Sequence, residues 1–111
     1  MAQLALNRFK TYTKELTTVS QTIYTAPTGY TGIILYAHVT NYGASATTVT
    51  MSHVRSSTTT QIINAATVPV NDAYIPLDGK LVLETSDYVT ATAGSNSVLK
   101  ILVSVLETAN A

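Results

Sequence analysis

Two segments of this chain, Gly32–Thr40 and Val98–Leu106, are apolar on both of the faces that a period of two defines, and this limits the folds open to it. In Val98–Leu106 the odd positions Leu99, Ile101, Val103 and Val105 form one continuous apolar face. The even positions Val98, Lys100, Leu102, Ser104 and Leu106 form a second face that is also largely apolar. In the central segment Ile33, Leu35, Ala37 and Val39 alternate with Ile34, Tyr36, His38 and Thr40. A strand in an isolated two-layer sandwich needs one buried face and normally shows clean alternation. Two such strands with a second apolar face imply that this face is covered too, by another copy of the chain or by the N-terminal segment of the same chain.

The rest of the sequence reads as strands. Thr and Ser are abundant, and Thr, being β-branched, fits a half-exposed pleat. Turn signals break the apolar runs about every 8–12 residues, the spacing of an all-β sandwich or barrel. The expected strands are a polar one over Tyr12–Thr18, then Gln21–Thr25, ended by Pro27 and Gly29, since proline cannot donate to a ladder and glycine permits positive φ. Gly32–Thr40 follows, turns at Asn41–Ser45 and returns over Thr47–Val54. Shorter pieces are expected at Gln61–Asn64, around Val68, at Tyr74–Leu77 before Asp78-Gly79, and at Lys80–Glu84. Tyr88–Ala93 and Val98–Glu107 complete the set. The expected fold class is all-β, an antiparallel, jelly-roll-like β-sandwich of about eight strands. Residues 1–20 are expected to be an N-terminal arm or edge strand, 21–107 the sandwich domain and 108–111 a short tail.

Composition narrows the function. Charged residues make up 11% of the 111, six basic and six acidic, and a surface so poor in charge favours permanent assembly over free diffusion as a monomer. A nucleic-acid partner calls for clustered Lys and Arg. Here they are scattered, and the loose group Arg8, Lys10 and Lys14 reads as a solvated arm. The absence of cysteine excludes disulfides, thiolate metal sites and thiol catalysis. The first residues, Met-Ala-Gln-Leu-Ala-Leu-Asn-Arg, lack the basic and apolar regions of a signal peptide. No apolar run approaches the ~20 residues of a membrane helix. The expectation is a soluble product made in the cytoplasm, with no membrane partner.

No motif carries chemistry. His38 and His53 have neither His-x-His nor His-x-x-x-His spacing, so no metal site is expected. Asp72, Asp78 and Asp87 adjoin turn residues, where Asp accepts backbone N–H bonds; Glu84 and Glu107 end strands and read as solvated. There is no nucleophile elbow and no phosphate-cradling loop. No catalytic residue and no cofactor are expected. Seven tyrosines against one Phe and no Trp fit protein contacts; carbohydrate stacking is the sharper alternative, without a visible aromatic cluster.

Three short motifs in a fixed order carry a resemblance: Tyr24-Thr-Ala-Pro-Thr-Gly-Tyr-Thr-Gly-Ile-Ile-Leu35 with Val39-Thr-Asn41, then Ala46-Thr-Thr-Val-Thr50, then Leu81-Val-Leu-Glu-Thr-Ser-Asp87. Over roughly Ile23–Glu107 the chain resembles a small β domain of tailed-phage virion proteins, and taken whole it is most similar to a short structural protein of contractile-tailed phages of cyanobacteria. The resemblance implies a non-enzymatic virion component present in many copies: a capsid decoration or cement protein, or a neck or tail accessory, with a receptor- or glycan-binding module of a tail fibre as the alternative. Such a protein would be made in the host cytoplasm and reside in the virion, its partners being copies of itself and other capsid or tail proteins. Ile34, Tyr36, Leu102 and Leu106 are the expected oligomer interface. Leu4, Leu6 and Phe9 are the expected particle-anchoring arm, with strand addition as its mode of grip.

Overall fold

The computed structural model describes residues 7–77 and 79–110; Leu4, Leu6 and Asp78 lie outside the described residues. Among the described residues nine strands form two antiparallel sheets. The strands are β1 (Asn7–Glu15), β2 (Gln21–Thr25), β3 (Tyr30–Asn41), β4 (Thr47–Arg55), β5 (Thr58–Val68), β6 (Ala73–Tyr74), β7 (Leu81–Leu83), β8 (Tyr88–Ala93) and β9 (Leu99–Ala109). The five-stranded sheet has the order β1-β9-β3-β6, with β7 also pairing β3, and the four-stranded sheet the order β2-β8-β4-β5. Chain and spatial order together are those of an eight-stranded jelly roll whose sixth strand is split into β6 and β7. The split falls at Pro76, which has no N–H for a ladder.

The strand expected to return from β3 does not pair with it: β3 and β4 lie in opposite sheets. The buried Asn41 side chain shapes this arch. Its amide donates to the Ser45 and Val68 carbonyls at 2.9 and 3.0 Å, and its oxygen accepts the Gly43 N–H at 2.9 Å. Turn polarity alone does not distinguish an arch between sheets from a hairpin within one. β4 pairs β5 and β8 instead.

The core lies between the sheets. Ile34, Ala37 and Val39 of β3, Leu83 of β7 and Leu99, Ile101, Val103 and Val105 of β9 meet Val49 and Met51 of β4 and Val89, Ala91 and Ala93 of β8. Leu16, fully buried where β1 crosses to β2, donates its N–H to the Leu99 carbonyl at 2.9 Å. In β9 the odd positions face inward as the periodicity predicts.

In β3 the parity changes within the strand. A bulge between Ile34 and Tyr36 leaves Leu35 without a partner on β9, so Ile34 pairs Val105 while Ala37 pairs Val103. One extra residue reverses the facing of everything beyond it. Ile34 consequently points into the core with Ala37 and Val39, fully buried, and Ile33 shares the outer side with Tyr36 and His38. This corrects the expectation that Ile34 belongs to an exposed interface face.

Candidate interaction surface

The two outer faces of the sandwich differ. Across the four-stranded sheet the register sets Thr22 beside Thr90, Thr90 beside Ser52 and Ser52 beside Gln61, and Thr92 beside Thr50. Small hydroxyl side chains dominate this stretch of the face, as on a largely polar sheet surface, although Ser52 itself is buried and Val54 pairs Tyr88 at one end.

The outer face of the five-stranded sheet is apolar. Phe9 on β1 pairs Leu106 on β9, Leu106 pairs Ile33 on β3, and Ile33 pairs Val82 on β7. Directly opposed residues on adjacent strands lie about 5 Å apart on one face, so these four side chains make a row across four strands. Further along the same face, Leu102 lies between Thr13 and His38, and Tyr36 lies beside Ser104. The Tyr36 and His38 rings stack at 5.9 Å. Phe9 is 74% exposed, Val82 52%, Tyr36 42% and Leu102 36%; together these give an apolar patch of roughly 400 Å², within the range of the largest patch on a typical monomer, which is often functional.

Of the residues expected at an interface, Tyr36, Leu102 and Leu106 thus share this face and Ile34 does not. Phe9, expected in the anchoring arm, ends the row. Residues 7–15 do not cover the apolar face; they continue its sheet as edge strand β1, paired with β9 from Asn7–Thr108 to Glu15–Lys100.

A second feature departs from the sequence expectation. Glu107, expected to be solvated, is 1% exposed. The inward series 99, 101, 103, 105 continues to 107, so the period of two already pointed it into the sandwich. One carboxylate oxygen accepts the Tyr24 hydroxyl at 2.6 Å, and the other accepts Arg8 Nε at 2.9 Å and Nη2 at 2.7 Å. Lys10 Nζ stands 3.7 Å away. Burial alone would raise the carboxyl pKa. The Tyr24 and Arg8 hydrogen bonds and the two nearby cations outweigh it and hold the pKa below its ordinary value. Burial and the same carboxylate push the Tyr24 phenol far up.

Gly32, opposite Glu107, makes room for this arrangement. A Cβ there would lie 2.8 Å from the Tyr24 ring and hydroxyl. The Arg8 guanidinium sits 4.0 Å from the Tyr30 ring centroid, and Tyr12 packs on Tyr24 at 5.3 Å. The inward side of β1 is thereby fastened to β9 and β2.

The second buried acid, Asp87, does what the turn reading expects. It accepts the Glu84 backbone N–H at 3.0 Å and pairs Arg55 at 2.7 Å, with His53 Nε2 at 3.3 Å. Arg55 and these further donors lower its pKa despite burial. Glu84 is largely exposed, with one oxygen 3.1 Å from Arg55.

His38 and His53 lie on different sheets, and no group of three potential His, Asp or Glu ligands forms among the described residues. Among the described residues no helix is long and apolar enough to cross a membrane. A shallow cavity of about 420 Å³, lined by Thr13, His38, Thr40, Lys100, Ile101 and Leu102, lies on the outer face of the five-stranded sheet.

No family model matches the sequence, and no curated protein matches it. Solved structures do. A chain of the Bacillus endospore appendages, described as a novel family of disulfide-linked pili, superposes with a TM-score of 0.58 at 9% identity, over 100% of this chain and 98% of that one. A chain of the acidic stable capsid of Helicobacter pylori bacteriophage KHP30 superposes with a TM-score of 0.56 at 12% identity, over 94% of this chain and 88% of that one. At these identities the likeness is one of fold, and it spans nearly the whole of all three chains.

Proposed function

We propose that this chain is a non-enzymatic structural subunit of a phage particle. In this reading it associates with copies of itself and docks on the particle as a capsid decoration or cement protein, or as a neck or tail accessory. The observation that carries the reading is the apolar outer face of the five-stranded sheet. Its patch of roughly 400 Å² is about half of what one partner gives to an interface of ordinary size. Tyr36, Leu102 and Leu106 from the expected interface set lie on it, with Ile33 in the place of Ile34.

Three further points support the reading. Both fold neighbours are subunits of repetitive assemblies, one a phage capsid and one a pilus. The jelly roll is a recurrent scaffold of viral capsid proteins. The ordered motifs from Tyr24 to Asp87 resemble structural proteins of contractile-tailed cyanobacterial phages. The pili named above are disulfide-linked; this chain has no cysteine, so its contacts would rest on apolar burial and strand pairing.

The test is immunogold labelling of intact particles from the phage that carries the gene, with quantitative mass spectrometry of the same particles. Regularly spaced label on the capsid or tail, at many copies per particle, is the expected result. A protein found only in the infected-cell lysate would remove the reading.

A further inference from the structure

The four sheet edges of this sandwich are not alike. The far edge of the five-stranded sheet is broken into β6 and β7, of two and three residues, with Pro76 between them. In the four-stranded sheet, β2 has five residues with a register shift between Thr22 and Tyr24. The opposite edge strand, β5, has two shifts against β4 and a positive φ at Ala65. Short strands, bulges and proline are the devices that keep sheet edges from pairing with other chains.

β1 has none of these. It is nine residues long, contains no proline or glycine, and holds an unbroken register with β9 from end to end. Charge is a further edge-guarding device, but the basic side chains of β1 are engaged within the chain. Arg8 and Lys10 are turned onto Glu107, and Lys14 reaches the Thr22 carbonyl at 3.4 Å.

From this asymmetry we infer that β1 is an assembly edge, which pairs antiparallel with β1 of a second copy about a two-fold axis passing between the two Phe9 side chains. An axis normal to the sheet keeps outer faces with outer faces, and such a contact is self-complementary. With Phe9 opposite Phe9, the apolar row from Val82 through Ile33 and Leu106 to Phe9 continues into the partner and spans eight strands. Shifted registers place Lys10 opposite itself or opposite Lys14, or Arg8 opposite Lys14, and they break the row. In the Phe9 register the only like-charged neighbours are Arg8 and Lys10, the two cations that Glu107 already counters.

This inference rests on the self-association reading and adds an edge contact to it: the pairing doubles the apolar face, which a further copy or the particle then covers. The absence of cysteine makes the test clean. The variant Phe9→Cys, mildly oxidised and run on a non-reducing gel, should convert most of the chain to a covalent dimer. Thr13→Cys, whose register partner is residue 5, should stay unlinked. The double variant Asn7→Cys/Thr11→Cys keeps Phe9 and sets each cysteine opposite the other in the partner, so it should link as well. Sedimentation of the wild-type chain runs alongside. Oligomers that sediment together without these selective links overturn the edge and leave self-association standing. A wild-type chain that sediments as a monomer overturns both.

Discussion

Glu107→Gln removes one negative charge from a site 1% exposed and leaves an amide oxygen where the Tyr24 hydroxyl donates. The lost partners are the two Arg8 contacts at 2.9 and 2.7 Å and the weaker Lys10 contact at 3.7 Å. A hydrogen bond to a charged group contributes about 1.5–3 kcal/mol. The new NH₂ group must also face either the guanidinium, which only donates, or the Tyr24 hydroxyl, which would have to turn from donor to acceptor. Against this, the Arg8 side chain is 35% exposed and can recover hydration, so two charge-assisted contacts are not worth twice one. The expected loss is about 2 kcal/mol, which lowers the melting temperature of a domain this size by roughly 10 °C. Urea denaturation at neutral pH, followed by circular dichroism, reads it as a lower midpoint with an unchanged slope. The pH profile supplies an independent check. A carboxyl whose folded pKa is depressed stabilises above its unfolded value of about 4.3 and loses that contribution as pH falls through the folded value. Wild-type stability should therefore drop as pH falls below about 4.3, and Glu107→Gln should flatten that drop, Asp87 accounting for part of what remains. A variant within about 0.5 kcal/mol of wild type, the scatter of ordinary surface changes, with the same acid profile would refute the argument.

Three other outcomes follow from the geometry. Gly32→Ala drives a Cβ to 2.8 Å from the Tyr24 ring and hydroxyl and should cost about 1–3 kcal/mol as overpacking, read by thermal denaturation. Ile34→Ala should cost about 2–5 kcal/mol in urea as a core cavity while leaving oligomeric state unchanged, since Ile34 is fully buried within one copy. Asp87→Asn weakens the bidentate Arg55 pair and the cap on the Glu84 N–H; a loss of about 1–2 kcal/mol is expected, with faster amide exchange over residues 84–87.

Much of this architecture is legible in the sequence because its signals are local. Gln21–Thr25 and Tyr88–Ala93 match β2 and β8 to the residue, since proline, glycine and polar turns bound them. The inward face of β9 follows from period alone. Legibility ends where one residue decides a long-range relation. The bulge at Leu35 exchanges the two faces of β3, and three adjacent aliphatics, Ile33-Ile34-Leu35, give no hint of which one is extra. The Asn41 arch sends β4 to the other sheet although its turn chemistry suits a hairpin. β1 is already a strand at Asn7, ahead of the expected Tyr12, and Arg8 and Lys10 are held there by Glu107, a partner 99 residues from Arg8. Glu107 itself was readable: it continues an inward series, and only the habit of treating a strand-terminal acid as solvated hides it.

The proposed function stands or falls on whether the outer face of the five-stranded sheet is covered in the assembled state. Sedimentation velocity over a broad concentration range, on the wild-type chain beside Tyr36→Asp and Leu102→Asp, tests it most directly. Both substitutions place a charge on exposed positions of that face and should leave the fold intact by circular dichroism. An oligomer is expected for the wild type, with a shift toward smaller species for both variants. A wild type that stays monomeric throughout, or variants that assemble unchanged, would contradict it.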